Sequence, residues 1–223
     1  MIKPLAISLS LSVVIAGAAV AIVGANLGGA FAIVATAMLV CPIAASALVE
    51  PRRAWLVILS AGAGAALVTI ALLSNDAFAF SQVLSIAATA FAVGVAAGSL
   101  VRLLIRIRVA PLIASATVIT LSLAWLAWPI WLSPWLSSDV VATRLAAVHP
   151  LMSINAIAPQ FGYWIQMKQM YRLTTLGQDV LFTLPVSVVG CVLLHGVIAI
   201  VCAVELIVRR PTSPRSDVLP SRR

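Results

Sequence analysis

Hydrophobic and polar positions in this chain do not alternate; they segregate into long apolar runs separated by a few polar residues. A helix needs roughly 20 apolar residues to cross a hydrocarbon core of about 30 Å. Six runs meet that length, predicting helices over 5–25, 30–49, 54–74, 83–104, 111–132 and 185–208. The first is read as a retained helix, because its apolar run exceeds the core of a signal peptide. Asn26, Gly28 and Gly29 predict a tight turn, and Glu50 to Arg53 and Asn75-Asp76 are short polar joints. Pro42 predicts a kink inside the second helix. Gly94 and Gly98 give the fourth a small-residue face for close packing within the bundle.

Residues 133–184, between the fifth and sixth runs, break the pattern. Val141, Leu145, Val148 and Met152 recur at helical spacing, and Asp139 suits a helix start. Pro150 disfavours helical geometry at His149, so two short helices are expected, over 139–148 and 150–158, meeting at an angle. Beyond them Phe161, Tyr163, Trp164 and Tyr171 mix with Lys168 and Arg172, a composition suited to the headgroup level. The expected fold is all-α: a polytopic bundle of six transmembrane helices over residues 1–210, with a helical interfacial or re-entrant insert between helices five and six. The tail, 211–223, has little to bury and is expected to be disordered.

Composition changes this picture only by sharpening it. The chain is 63% hydrophobic and 9% charged, with mean hydropathy +1.16; soluble domains carry about 25% charged residues. The net charge of +8 sits at the ends of apolar segments, which points to anionic lipid headgroups rather than nucleic acid. Of 14 Lys and Arg, only Arg144, Lys168 and Arg172 fall on the side of the long insert. The basic excess marks the cytoplasmic face. The expectation is a multi-pass protein of the plasma (inner) membrane with both termini inside and 133–184 outside. Cys41, Cys191 and Cys202 all lie inside apolar runs, so no disulfide is expected.

Candidate chemistry is sparse. His149 with Asp139 or Asp179 could form a base and its orienting carboxylate, with Ser133, Ser137, Ser138 or Ser153 as nucleophile. No spaced catalytic motif supports that set, and a histidine before proline is more often a helix-end residue. His195 lies within the sixth run, and an ionisable residue there is a functional suspect. Cys191 and Cys202 share its face, as weak metal or haem ligands; the ordinary reading is a neutral histidine bonded to Thr117, Thr120 or Ser122. Trp125, Trp128, Trp131 and Trp135, spaced by three, three and four, form either an aromatic belt or the wall of a lipid or substrate groove. Arg102, Glu205 and Arg209 read as inner-face ion pairing between helices four and six. No Asp or Glu falls mid-helix, which disfavours an ion-coupled carrier.

Six helices, internal termini and a partly helical insert between helices five and six resemble, in layout, the ABC-2-type export permeases. That resemblance implies a cytoplasmic ATPase partner and an amphipathic helix before the first span. Met1 to Pro4 leaves no room for such a helix, and Glu50 to Arg53 is short for a coupling element. The expected function is a non-catalytic membrane subunit of a larger complex, permease-like and without a cofactor. Its partners would be membrane lipids, other membrane subunits and such an ATPase. The alternatives are a haem- or metal-binding redox subunit centred on His195, and a membrane enzyme acting on lipid-linked substrates through His149.

Overall fold

The computed structural model describes residues 2–47, 51–75, 77–161 and 182–208; for 2–6, 8, 51–54 and 206–208 only the backbone is described. The described residues form helices α1 (Ile2–Val23), α2 (Leu27–Ser46), α3 (Pro51–Leu73), α4 (Phe80–Arg106), α5 (Pro111–Leu126), α6 (Trp128–Trp131), α7 (Asp139–Val148), α8 (Pro150–Ile157) and α9 (Val189–Val208). Single 3-10 turns follow α6 (Ser133–Trp135) and α8 (Pro159–Phe161). No strand occurs among the described residues. The expected disordered tail, and the aromatic stretch after Phe161, lie outside the described residues.

The protein is membrane-embedded. Leu27–Ser46, Trp55–Leu73 and Phe80–Arg106 are long and apolar enough to cross a bilayer, and α7 with α8 makes a fourth candidate if that bent pair is one broken span. The apolar helices Leu9–Val23, Pro111–Leu126 and Val189–Glu205 are shorter.

Local signals explain the joints. Gly24 adopts φ 95°, a left-handed conformation that ends α1. Asn26 then caps α2, its Oδ1 accepting the Gly29 N–H at 3.2 Å. At the start of α4 the Gln82 side chain reaches back to accept the Ala79 N–H at 2.9 Å. Pro42 lies inside α2 without ending it.

The bundle is built around α4, which packs against α2, α3, α5 and α9. Gly94 and Gly98 make this possible. A Cβ on Gly94 would stand 2.9 Å from the Cys41 Sγ of α2, and one on Gly98 would stand 2.9 Å from Ile58 Cγ2 of α3. The small-residue face is therefore consumed inside the chain, as close helix packing in lipid requires. A first core joins α1, α2 and α4 through Ala16, Ile33, Val34, Ile86 and Val93, and α8 adds Ile154 and α9 adds Cys191 to it.

Three turns meet at one end of the bundle. Asn75, after α3, donates to the Ala25 carbonyl at 3.4 Å. Gln82 donates to the Ile157 carbonyl at 2.6 Å, and Gln160 donates to the Ala77 carbonyl at 2.9 Å. The rings of Phe78 and Phe161 pack at a tilt of 43° beside these bonds, their centroids 4.8 Å apart. The end of α8 is thereby fastened to the α3–α4 turn.

Helix five departs from expectation. It stops at Leu126 rather than 132, with α6 and the Ser133–Trp135 turn following as separate pieces. The reason is Pro129, which has no N–H to give the Trp125 carbonyl four residues back. Pro134 repeats the effect in the 3-10 turn. Helix six begins at Val189, four residues later than expected.

Candidate functional site

The break after α5 and the bend between α7 and α8 come together. Between them α7 and α8 turn by 83°. His149 sits at the corner in extended geometry (φ −83°, ψ 125°), as the following Pro150 demands. It ends α7 and also caps α8, its Nδ1 accepting the Met152 N–H at 3.2 Å. Because Nδ1 accepts, the proton of the neutral ring belongs on Nε2. The imidazole is fully buried. It stands edge-on to Trp125, with ring centroids 5.5 Å apart, and to Trp128 at 6.0 Å. The backbone carbonyls of Leu126 and Trp125 lie against the ring, although Nε2 completes no well-aligned hydrogen bond to them. Ala142, Ala146 and Met152 close this small core around Trp128.

The four tryptophans do not share one environment, so the expectation that they form together one belt or one groove wall is corrected. Trp128 is fully buried, while Trp131 and Trp135 are 51% and 82% exposed. Trp131 Nε1 donates to the Ala124 carbonyl at 2.7 Å. Trp125 lines a cleft between α5 and α9. Once α5 stops being a continuous helix, the spacing of three, three and four no longer maps onto one face.

The base-and-carboxylate pair is also corrected for Asp139. His149 and Asp139 lie at opposite ends of α7, about 15 Å apart by helix rise, and His149 Nδ1 is engaged in the cap. Ser153 donates to the Ala147 carbonyl at 3.4 Å, and Ser133 is buried. Asp179 lies outside the described residues.

The cleft has a volume of about 290 Å³. α5 and α9 both pack on α4 but scarcely meet one another, and the space between them is floored by Ala97 of α4 and Met38 of α2. Trp125 and Ser122 line the α5 wall, and His195 lines the α9 wall. Leu121 and Leu194, also lining it, are 61% and 38% exposed. Their exposure shows that the cleft opens sideways through the flank of the bundle. No charged residue lines it among the described residues.

His195 is 6% exposed. Its Nδ1 lies 2.8 Å from the Cys191 carbonyl, and 3.6 Å from the Cys191 Sγ. A carbonyl can only accept, so Nδ1 carries the proton and Nε2 holds a bare lone pair. The partner is thus the preceding turn of its own helix, not Thr117, Thr120 or Ser122. Cys202 lies about 10 Å further along α9 by helix rise. Among the described residues no three His, Cys, Asp or Glu come together as a metal-binding group. All three cysteines are free and buried.

At the other end of the bundle Arg102 is 6% exposed, its Nη1 donating to the Ala45 carbonyl at 3.5 Å. Glu205 is half-buried on α9, which packs on α4. Arg209 lies outside the described residues. Sequence reasoning missed Gln82 and Gln160 as a structural latch. The reach of Gln82 back to residue 79 was readable as a capping signal, but its partner 78 residues away was not. Comparison with family models, with curated proteins and with solved structures found no match.

Proposed function

We propose that the protein is a non-catalytic integral membrane subunit that holds a lipid-like molecule in the cleft between α5 and α9, within a larger membrane complex. The observation that carries this reading is the cleft itself. It is apolar, open through the flank of the bundle and lined by one histidine and one tryptophan. Such concave, mostly apolar sites with few polar groups are the usual form of small-molecule sites. In this reading α1 to α5 and α9 all cross the inner membrane. The termini are cytoplasmic, and α7–α8 is an outer, re-entrant cap resting on Trp128. The asymmetry of Lys and Arg supports that orientation. The permease-like layout names a cytoplasmic ATPase as the partner.

The test is lipid analysis of the purified protein beside an Ala97→Phe variant, which fills the cleft floor. The wild type is expected to retain a defined lipid that the variant lacks. Equal lipid content in both would overturn the cleft as a site. Affinity purification from native membranes tests the assembly, and a monodisperse, partnerless protein would sink that half of the reading.

A further inference from the structure

We infer that the cleft selects an uncharged, single-chain lipid alcohol whose hydroxyl donates a hydrogen bond to Nε2 of His195. This rests on the cleft being a ligand site and specifies its ligand.

The tautomer carries the argument. The Cys191 carbonyl, 2.8 Å from Nδ1, holds the ring proton on Nδ1 and leaves Nε2 able only to accept. Nε2 makes no hydrogen bond among the described residues. Unlike Nε2 of His149, it is not sealed inside the protein without a partner. An acceptor left bare in an apolar, water-poor space is costly, and a ligand donor there would relieve that cost. A ketone, ester or ether offers only acceptors and leaves the lone pair unpaired; a hydroxyl offers a proton.

Charge and size narrow the class further. Because no charged residue lines the cleft among the described residues, a charged headgroup would be desolvated there without a counter-charge. A volume of about 290 Å³ lies at the small end of ligand sites, which suits one chain rather than two. His195 is the seventh residue of α9, about 9 Å from its cap end by helix rise. The hydroxyl would therefore sit below the cap, with the chain running down the α5–α9 seam past Val118 and Ile198. Trp125 lines the same cleft and reports on its occupancy.

The experiment uses the full chain in detergent micelles and two matched probes, 2-bromododecan-1-ol and its methyl ether, whose bromine lies beside the hydroxyl or methoxy head that the cleft would hold. Each is titrated at equal mole fraction in the micelle. Bromine quenches tryptophan emission on contact, and a Trp125→Phe variant identifies the part of the signal that comes from the cleft. The alcohol is expected to bind about tenfold more tightly than the ether, the scale set by one buried acceptor left unpaired. In a folded His195→Phe variant that preference is expected to vanish while the ether binds as before. Equal binding of alcohol and ether to the wild type overturns the hydroxyl inference while leaving the cleft as a site. This comparison needs no variant to fold. Failure of both probes to quench Trp125 overturns the cleft reading as well.

Discussion

The imidazole of His149 stands edge-on to the indole of Trp125, ring centroids 5.5 Å apart and planes inclined by 63°. Trp125 is the last-but-one residue of α5 and lines the cleft, and His149 is the corner of the α7–α8 pair. One contact thus joins the bent cap to the wall of the candidate site. His149 also supplies the α8 cap through Nδ1, so its two roles are separable by substitution. His149→Phe keeps the ring packing and loses the cap, and should cost about 1 kcal/mol. His149→Asn keeps a capping acceptor and loses the ring contacts, each worth about 0.5–1.5 kcal/mol, along with packed volume. Thermal unfolding in detergent followed by circular dichroism measures both. A His149→Phe protein as stable as the wild type would remove the capping role.

Gln82 and Gln160 exchange side-chain bonds in both directions, at 3.2 and 2.9 Å. Each also holds a backbone carbonyl of the other's segment. Gln82→Ala and Gln160→Ala should therefore be non-additive, with a coupling of about 0.5–1.5 kcal/mol in a double-mutant cycle. Additive effects would show that the latch is two independent contacts.

Gly94 meets Cys41 so closely that even a methyl group intrudes. Gly94→Ala is expected to cost about 1–3 kcal/mol through overpacking. Adding Cys41→Ala removes the sulfur that the new Cβ would strike and should restore part of the loss. If the double variant is no more stable than the sum of the singles predicts, the close approach is not the cause.

Arg108 ends α4 with φ 73°. The Val109 N–H reaches the Leu104 carbonyl at 3.1 Å, and the Arg108 N–H reaches that of Ile105 at 3.1 Å. This is the helix-ending geometry that glycine prefers, because a side chain in the left-handed region costs about 1–2 kcal/mol. Arg108→Gly should therefore raise the thermal midpoint, provided the charge itself contributes little. Arg108→Ala, still strained but uncharged, is the control: a rise in that variant as well would assign the gain to charge rather than backbone.

Local chemistry made much of this architecture readable. The predicted 139–148 helix coincides with α7, because Asp139 and Pro150 bound it with signals acting over one turn. The angle at His149 follows from the restriction proline places on its predecessor. The prediction of helix five to 132 failed for an equally local reason, since Pro129 and Pro134 interrupt its bonding and an apolar run conceals that. The candidate site was less legible. The sequence marked Trp125 and His195, but nothing in it related them, as they stand on helices that meet through α4 rather than each other.

By itself, the sequence determined that this is a helical membrane protein, where its main apolar helices fall, and that the chain bends at His149. Those properties depend on composition, on runs of about 20 residues and on backbone restrictions between neighbours. Only the tertiary structure decided that α4 is buried by its glycines, that Gln82 finds Gln160, that Trp128 is core while Trp135 is surface, and that a cleft opens between α5 and α9. Each of these follows from which side chains, distant along the chain, approach within a few ångströms. An almost uniformly apolar pattern cannot encode that choice, because in lipid both packed and lipid-facing positions are hydrophobic.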